Sequence, residues 1–194
     1  MDINFLFFEN YETLDIFGPI EVFSNIEGAK LSYISMQGGP VKSRQGHEIL
    51  TKPASSVAPK GVLVVPGGMG TRTLVHDETF LAALKELSDH AEFVLTICTG
   101  SGLLAKAGAL NRHSATSNKK AFEWAKSTSD QVNWVKKARW VVDGKFYTSS
   151  GVSAGIDMAL GFVSDQIGET RAREIARNIE YLWNSDKEED AFCL

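Results

Sequence analysis

The sequence predicts one α/β domain, a mostly parallel sheet covered by helices on both faces. Short apolar runs alternate along the chain with longer amphipathic stretches, the pattern of strands buried on two sides and joined by crossover helices. Two of those runs stop abruptly on small-residue turns, Val65-Pro-Gly-Gly68 and Ile97-Cys-Thr-Gly100. With 194 residues and 43% hydrophobic content the chain is long enough for one sizeable core.

Each element follows from its local pattern. Residues 2–8 read as a buried first strand. Glu12 to Ser24 reads as a turn and helix, with Pro19 suited to a first helical turn. Residues 31–36 alternate as a strand should, Gln37 to Pro40 turns the chain, and Val41 to Thr51 reads as a short β excursion interrupted by Gly46. Gly61 to Val65 is a buried strand. Thr79 to His90 carries Phe80, Leu81, Leu84 and Leu87 at helical spacing, and Phe93 to Ile97 is the next strand. A helix over 102–107 is closed by Gly108, and Ala121 to Lys126 forms another. Trp134, Trp140 to Val142 and Phe146 to Thr148 read as strands, with Asp143-Gly144 as a hairpin turn. Two helices, 153–166 and 169–183, close the fold, the second with Ile175, Ile179 and Leu182 on its apolar face. No repeat or linker divides the chain, so residues 1–184 form one domain and 185–194 an acidic tail.

Composition narrows the function. Twenty basic against twenty-four acidic residues give a net charge of −4, and no basic cluster suits a phosphate backbone, so nucleic acid is not an expected partner. The first eight residues lack a basic leader and are too short to span a membrane, which fits a buried strand of a cytoplasmic protein. The two cysteines, Cys98 and Cys193, are not expected to form a disulfide, because a cytosol keeps thiols reduced and the acidic tail reads as mobile. Cys and His pairs at ligand spacing are absent, so no metal site is expected. The four histidines are scattered and read as surface or loop residues.

Cys98 is the residue that draws attention. It ends an apolar strand and precedes Thr99-Gly-Ser-Gly102, so the chain must turn sharply into a helix. That elbow brings the sulfur near free N–H groups and a helix N-terminus, both of which favour the reactive thiolate. A small buried core cysteine is the plainer reading; Gly100 and Gly102 favour the elbow.

Cys98-Thr-Gly, with Leu103 to Leu110 behind it, resembles the nucleophile elbow of the ThiJ/PfpI superfamily of class I glutamine amidotransferase-like proteins. Three further segments agree in order and spacing: Leu14-Asp-Ile-Phe-Gly-Pro19, Val65-Pro-Gly-Gly68 and Thr148 to Asp157. The resemblance spans residues 1 to about 183. It implies a flavodoxin-like fold, a homodimer and no cofactor. Interface candidates are Val22-Phe23 and the segment near Trp134 and Trp140, each equally explained as core.

The Cys-Thr-Gly form with Asp15 is most similar to isonitrile hydratases. It is shared by sensor domains of AraC-type regulators, in which a helix-turn-helix region follows; the chain stops before one would fit, which weighs against a regulator. Strand ends of a parallel sheet gather at one edge, so Asp15 is expected beside Cys98, protonated when the thiolate forms or exchanging a proton with it. Asp15 also reads as a helix cap, and both roles are compatible. The resemblance makes the Gly68 and Thr99 amides oxyanion-type donors, with Gly67-Gly68 admitting substrate to the backbone; alone, Pro-Gly-Gly is a turn. The Thr99 hydroxyl either joins the pocket or caps the elbow helix.

Departures from the superfamily pattern matter equally. Its protease-like members carry histidine directly after the nucleophile, where this chain has Thr99. Many others place histidine after a Thr-Thr or Thr-Ser pair, where this chain has Asn118, which cannot serve as a general base. Proteolysis is therefore disfavoured. The resemblance implies an enzyme that adds water to an isonitrile to give an N-substituted formamide through a thioimidate on Cys98. Two alternatives remain: a glyoxalase or deglycase acting on small dicarbonyls, and a cysteine-based redox or ligand sensor. In each, the partner is a small electrophile or oxidant.

Overall fold

The structure is a computed structural model that describes residues 1–58 and 60–193. Among the described residues, ten strands and seven α-helices follow in chain order: β1 (Asp2–Leu6), α1 (Thr13–Ser24), β2 (Lys30–Ser35), β3 (Gly39–Lys42), β4 (Glu48–Pro53), β5 (Val62–Val65), α2 (Thr71–Leu74), α3 (Glu78–His90), β6 (Phe93–Ile97), α4 (Gly100–Lys106), β7 (Ser114–Ala115), α5 (Phe122–Ser127), β8 (Asn133–Trp134), β9 (Trp140–Asp143), β10 (Phe146–Ser149), α6 (Ala154–Gln166) and α7 (Glu169–Asn178).

Eight strands form one sheet in the order β3-β4-β2-β1-β5-β6-β10-β9. Its centre is parallel throughout, and only the edge strands β3 and β9 run antiparallel to their neighbours. The run β2-β1-β5-β6-β10 is the flavodoxin-like order. Helix α6 packs against both α1 and α7, while α2, α3 and α5 each pack on α4. The central strands are buried on both sides, which is why Val62, Leu63, Val64 and Val65 read as an unbroken apolar run.

This order places the functional end of the sheet. The connection from β1 leads outward to β2, whereas β5 leads the other way to β6, so a crevice opens beyond the carboxyl ends of β1 and β5. Asp15, Gly67 and Cys98 follow β1, β5 and β6 and meet there.

Several boundaries differ from the sequence expectation. The helix α1 begins at Thr13, so Pro19 lies inside it and not in its first turn. The excursion over 41–51 is a hairpin, β3 and β4, whose second strand extends the parallel sheet beside β2. The helix α7 ends at Asn178, because Glu180 adopts φ +52° and the Tyr181 N–H turns back to the Ala176 carbonyl at 2.8 Å. Leu182, expected on an apolar helical face, is therefore 95% exposed. Val22, Phe23 and Trp140 are buried within the domain and Trp134 packs against the core, so these interface candidates belong to the protomer's own interior.

The tail, expected to be mobile, is packed. The Arg139 N–H donates to the Lys187 carbonyl and the Asp190 N–H to the Lys137 carbonyl, each at 2.8 Å. The buried Asp190 carboxylate lies 3.8 Å from Arg139, whose guanidinium also holds Asp157. Leu194 lies outside the described residues. Both cysteines are free thiols. Among the described residues, no helix is long and apolar enough to cross a membrane, and no group of three or more His, Cys, Asp or Glu is placed to hold a metal ion.

Candidate active site

Cys98 sits between β6 and α4 with φ +58°, a left-handed conformation that costs a non-glycine residue about 1–2 kcal/mol. The elbow is held from both sides. The Cys98 N–H donates to the carbonyls of Ser149 and Ser150 at 3.2 Å. The Cys98 carbonyl accepts from the Ser117 hydroxyl at 2.8 Å and the Ser101 hydroxyl at 3.1 Å. A strained conformation persists only where its surroundings over-determine it, and these contacts do so here.

Asp15 is fully buried on α1. Its Oδ2 accepts from the Gly67 N–H at 2.9 Å, across the gap between the ends of β1 and β5. The carboxyl thus caps no helix, and the capping reading of Asp15 gives way to this bridge. Its Oδ1 is buried without a hydrogen-bond partner of ordinary geometry, and the proton carrier beside the carboxyl is the Cys98 thiol. Burial pushes the carboxyl up to about 8; the Glu12 charge adds to this, and the Gly67 N–H and the thiol oppose it without cancelling it. At neutral pH the carboxyl accordingly holds its proton.

The thiol departs from expectation. Burial, then the Asp15 charge, pushes Cys98 well above its ordinary value, while hydrogen bonds from the Thr99 N–H and hydroxyl pull the other way and lose. Cys98 is only 7% exposed, and α4 is seven residues long. Desolvation of a sulfur anion outweighs a short helix terminus, so the resting form is the thiol and not the thiolate.

The glycines at 67 and 68 have different tasks. A Cβ on Gly67 would lie 2.6 Å from both the nitrogen and Oγ1 of Thr99 and 2.9 Å from Asp15 Oδ2, so only glycine lets these groups converge. The Gly68 N–H, expected to face substrate, donates to Thr99 Oγ1 at 3.1 Å. Thr99 Oγ1 also takes the Thr71 hydroxyl at 3.2 Å. The Thr99 side chain thereby ties the β5 turn to the elbow, and of the two expected amides it is the Thr99 N–H that faces the sulfur.

A cleft of about 560 Å³ opens over Cys98, lined also by Arg72, Asn118, Trp124 and Val152. None of the four histidines is among its lining residues. Asn118 Oδ1 accepts from the Ala121 N–H at 3.0 Å, which leaves its amide nitrogen beside Gly151. A Cβ there would meet Asn118 Nδ2 at 2.1 Å and Cys98 Sγ at 2.9 Å, so Gly151 keeps open the space next to the sulfur. Another hollow, about 390 Å³ and lined by Met36, Ser55, Leu87 and His90, shares no lining residue with this site.

Sequence reasoning missed Arg72, Trp124, Ser117 and Gly151. A cation five residues beyond Gly67, just past the turn that follows a central strand, was a usable signal for Arg72. Trp124 had none, because an aromatic residue in a short helix reads as core.

The doubly wound sheet, with a cysteine elbow at its carboxyl edge beside a buried carboxyl, places the chain among flavodoxin-like α/β proteins. The DJ-1/PfpI family profile matches residues 1–165. Isonitrile hydratase of Pseudomonas putida is 30% identical over 182 residues, covering 93% of this chain and 78% of that protein. A deglycase of Thermococcus kodakarensis is 26% identical, covering 77% of this chain and 89% of that protein. The crystal structure of a ThiJ/PfpI family protein from Pseudomonas syringae superposes with a TM-score of 0.81 at 28% identity, covering 94% of this chain and 76% of that one. The chain belongs to the DJ-1/PfpI family.

Proposed function

We propose that the protein is an isonitrile hydratase-like enzyme in which Cys98 is the nucleophile and Asp15 carries the proton. The observation that carries this reading is the fully buried carboxyl with an unspent oxygen beside a buried thiol, a burial that favours its protonated form. An isonitrile carbon accepts a nucleophile and then needs a proton on that same atom, and a thiol paired with one proton-carrying acid supplies both. Likeness to the hydratase across most of the chain supports the assignment.

The chemistry balances within the pair. Asp15 gives its proton to the terminal carbon as sulfur bonds to it, and the other oxygen of the carboxyl takes the thiol proton, so that the acid is regenerated. The result is a thioimidate, R–N=CH–S–Cys98. Water then adds to this carbon, the carbon–sulfur bond breaks, and the formamide R–NH–CHO leaves with the thiol regenerated. The Thr99 N–H and the Asn118 amide are the donors available beside the sulfur for charge that develops at carbon and nitrogen.

The test is incubation of purified protein with aryl and alkyl isonitriles, with formamide followed by mass spectrometry. Wild type is expected to form formamide, and Cys98→Ala none. Loss of one acid–base partner is worth roughly 10²–10⁴-fold, so Asp15→Asn should fall by that order. If wild type makes no formamide but consumes methylglyoxal in a Cys98-dependent way, the hydratase reading is wrong and the chemistry is that of the deglycase relative.

A further inference from the structure

Arg72 is a cation of the cleft that is paired with neither of the cleft's two carboxylates, Glu12 and Glu123. Its guanidinium carbon lies 3.4 Å from the centre of the Trp124 ring, a stacked arrangement. The ring is itself seated on α4, since a Cβ on Gly102 would lie 2.8 Å from Trp124 Cζ3. The guanidinium is therefore seated over a platform that cannot shift toward the helix. Its single hydrogen bond to protein, Nη1 to Thr71 Oγ1, is long at 3.4 Å.

Neighbouring charges are otherwise spoken for. Glu12 holds Arg44 at 2.9 Å and also accepts from the Gln45 amide. Glu123 faces Lys136 at 3.8 Å. Lys120 stands exposed at the rim. Among the described residues, Arg72 has no carboxylate within ion-pair distance, although burial already disfavours its charge and the Cys98 anion favours it. A half-buried guanidinium braced over an aromatic ring, with most of its donors unspent and a nucleophilic sulfur in the same cleft, is the arrangement that takes a planar carboxylate by two parallel hydrogen bonds.

We infer that Arg72, braced by Trp124, is the specificity-determining residue of the Cys98 cleft and selects small electrophiles that bear a carboxylate. This rests on the proposed function only in taking Cys98 as the reacting atom. A phosphate dianion is the poorer fit, because the Gly67 and Gly68 amides that would complete a phosphate cradle are committed to Asp15 and Thr99.

Two alkylating reagents of nearly equal size test it, iodoacetate and iodoacetamide, with modification of Cys98 followed by peptide mass spectrometry. The ratio of their rate constants in wild type, divided by the ratio for free cysteine, is expected to exceed unity by about tenfold, the scale of one charge-assisted pair. Arg72→Gln should return it to the free-cysteine value, and Arg72→Lys, which keeps the charge without the fork, should recover less than half of the preference. A wild-type ratio equal to that of free cysteine overturns the inference, as does an Arg72→Gln protein slowed equally toward both reagents, which would make Arg72 a partner of the thiolate alone.

A second measurement omits the thiol. Benzoate titrated into Cys98→Ser should quench tryptophan fluorescence saturably, and Arg72→Gln should abolish the quench at an unchanged melting temperature. Absence of saturable quenching in Cys98→Ser also overturns the inference. Benzoate binding in a protein that forms no formamide would defeat the isonitrile reading and leave the role of Arg72 standing.

Discussion

At the scale of single residues, the site is a contest between desolvation and hydrogen bonding, and desolvation wins twice. It keeps the proton on Asp15 to about pH 8 and on Cys98 well above the ordinary thiol value. The stability consequence has a definite sign. An unfolded Asp15 ionises near 4 while the folded one keeps its proton to about 8, so its burial penalty is absent below pH 4, grows by about 1.4 kcal/mol per pH unit, and levels off above pH 8. Asp15→Asn is therefore expected to be more stable than wild type at pH 8 and to lose that advantage toward pH 4, as read from urea unfolding across that range. Cys98 and Asp15 were legible in the sequence because each lies in a distinctive run of residues. The state of the thiol was not, because a motif shows which N–H groups approach a sulfur but not how much water is removed from it.

At the scale of elements, the elbow between β6 and α4 stores strain at a position fixed by the serines on either side. With φ at +58°, replacing Cys98 by alanine retains the strain and replacing it by glycine relieves it. Cys98→Gly should therefore unfold at higher denaturant than Cys98→Ala, by about 1 kcal/mol. Equal stability of the two would mean that the backbone relaxes once the thiol is gone. Strands such as β5 and β6 were legible because strands buried on both faces must be apolar throughout. The β character of residues 41–51 was legible too, whereas the parallel pairing of β4 with β2 and the end of α7 were not. The first involves polar residues near an exposed edge, and the second stops at Glu180, a residue whose positive φ no composition rule foretells.

For the whole molecule, strand order makes three distant segments converge, and the tail docks beside them, Phe192 next to Asn118 and Gly151, through a buried charge cluster. Arg139 donates from Nε to Asp157 Oδ2 at 2.8 Å, again from Nη2 to the same oxygen, and stands near Asp190. Removing the shared cation leaves two buried carboxylates without it. Arg139→Leu is therefore expected to destabilise the domain by roughly 3–5 kcal/mol in denaturant titration, and a loss below 1 kcal/mol would show that the tail is dispensable. The topology could be read from the alternation of strand and helix. The docked tail could not, because a run rich in Asp and Glu looks solvated until the guanidinium that receives it is known.

The central claim is that Cys98 and Asp15 titrate as one proton-sharing pair. Its most direct test is the pH dependence of Cys98 alkylation by iodoacetamide in wild type and Asp15→Asn. In wild type the rate should rise with pH and level off above about 8, where the pair has lost its first proton. In Asp15→Asn no plateau should occur there, and the rate should keep climbing toward the raised value of the thiol alone. Superimposable profiles in the two proteins would contradict the account.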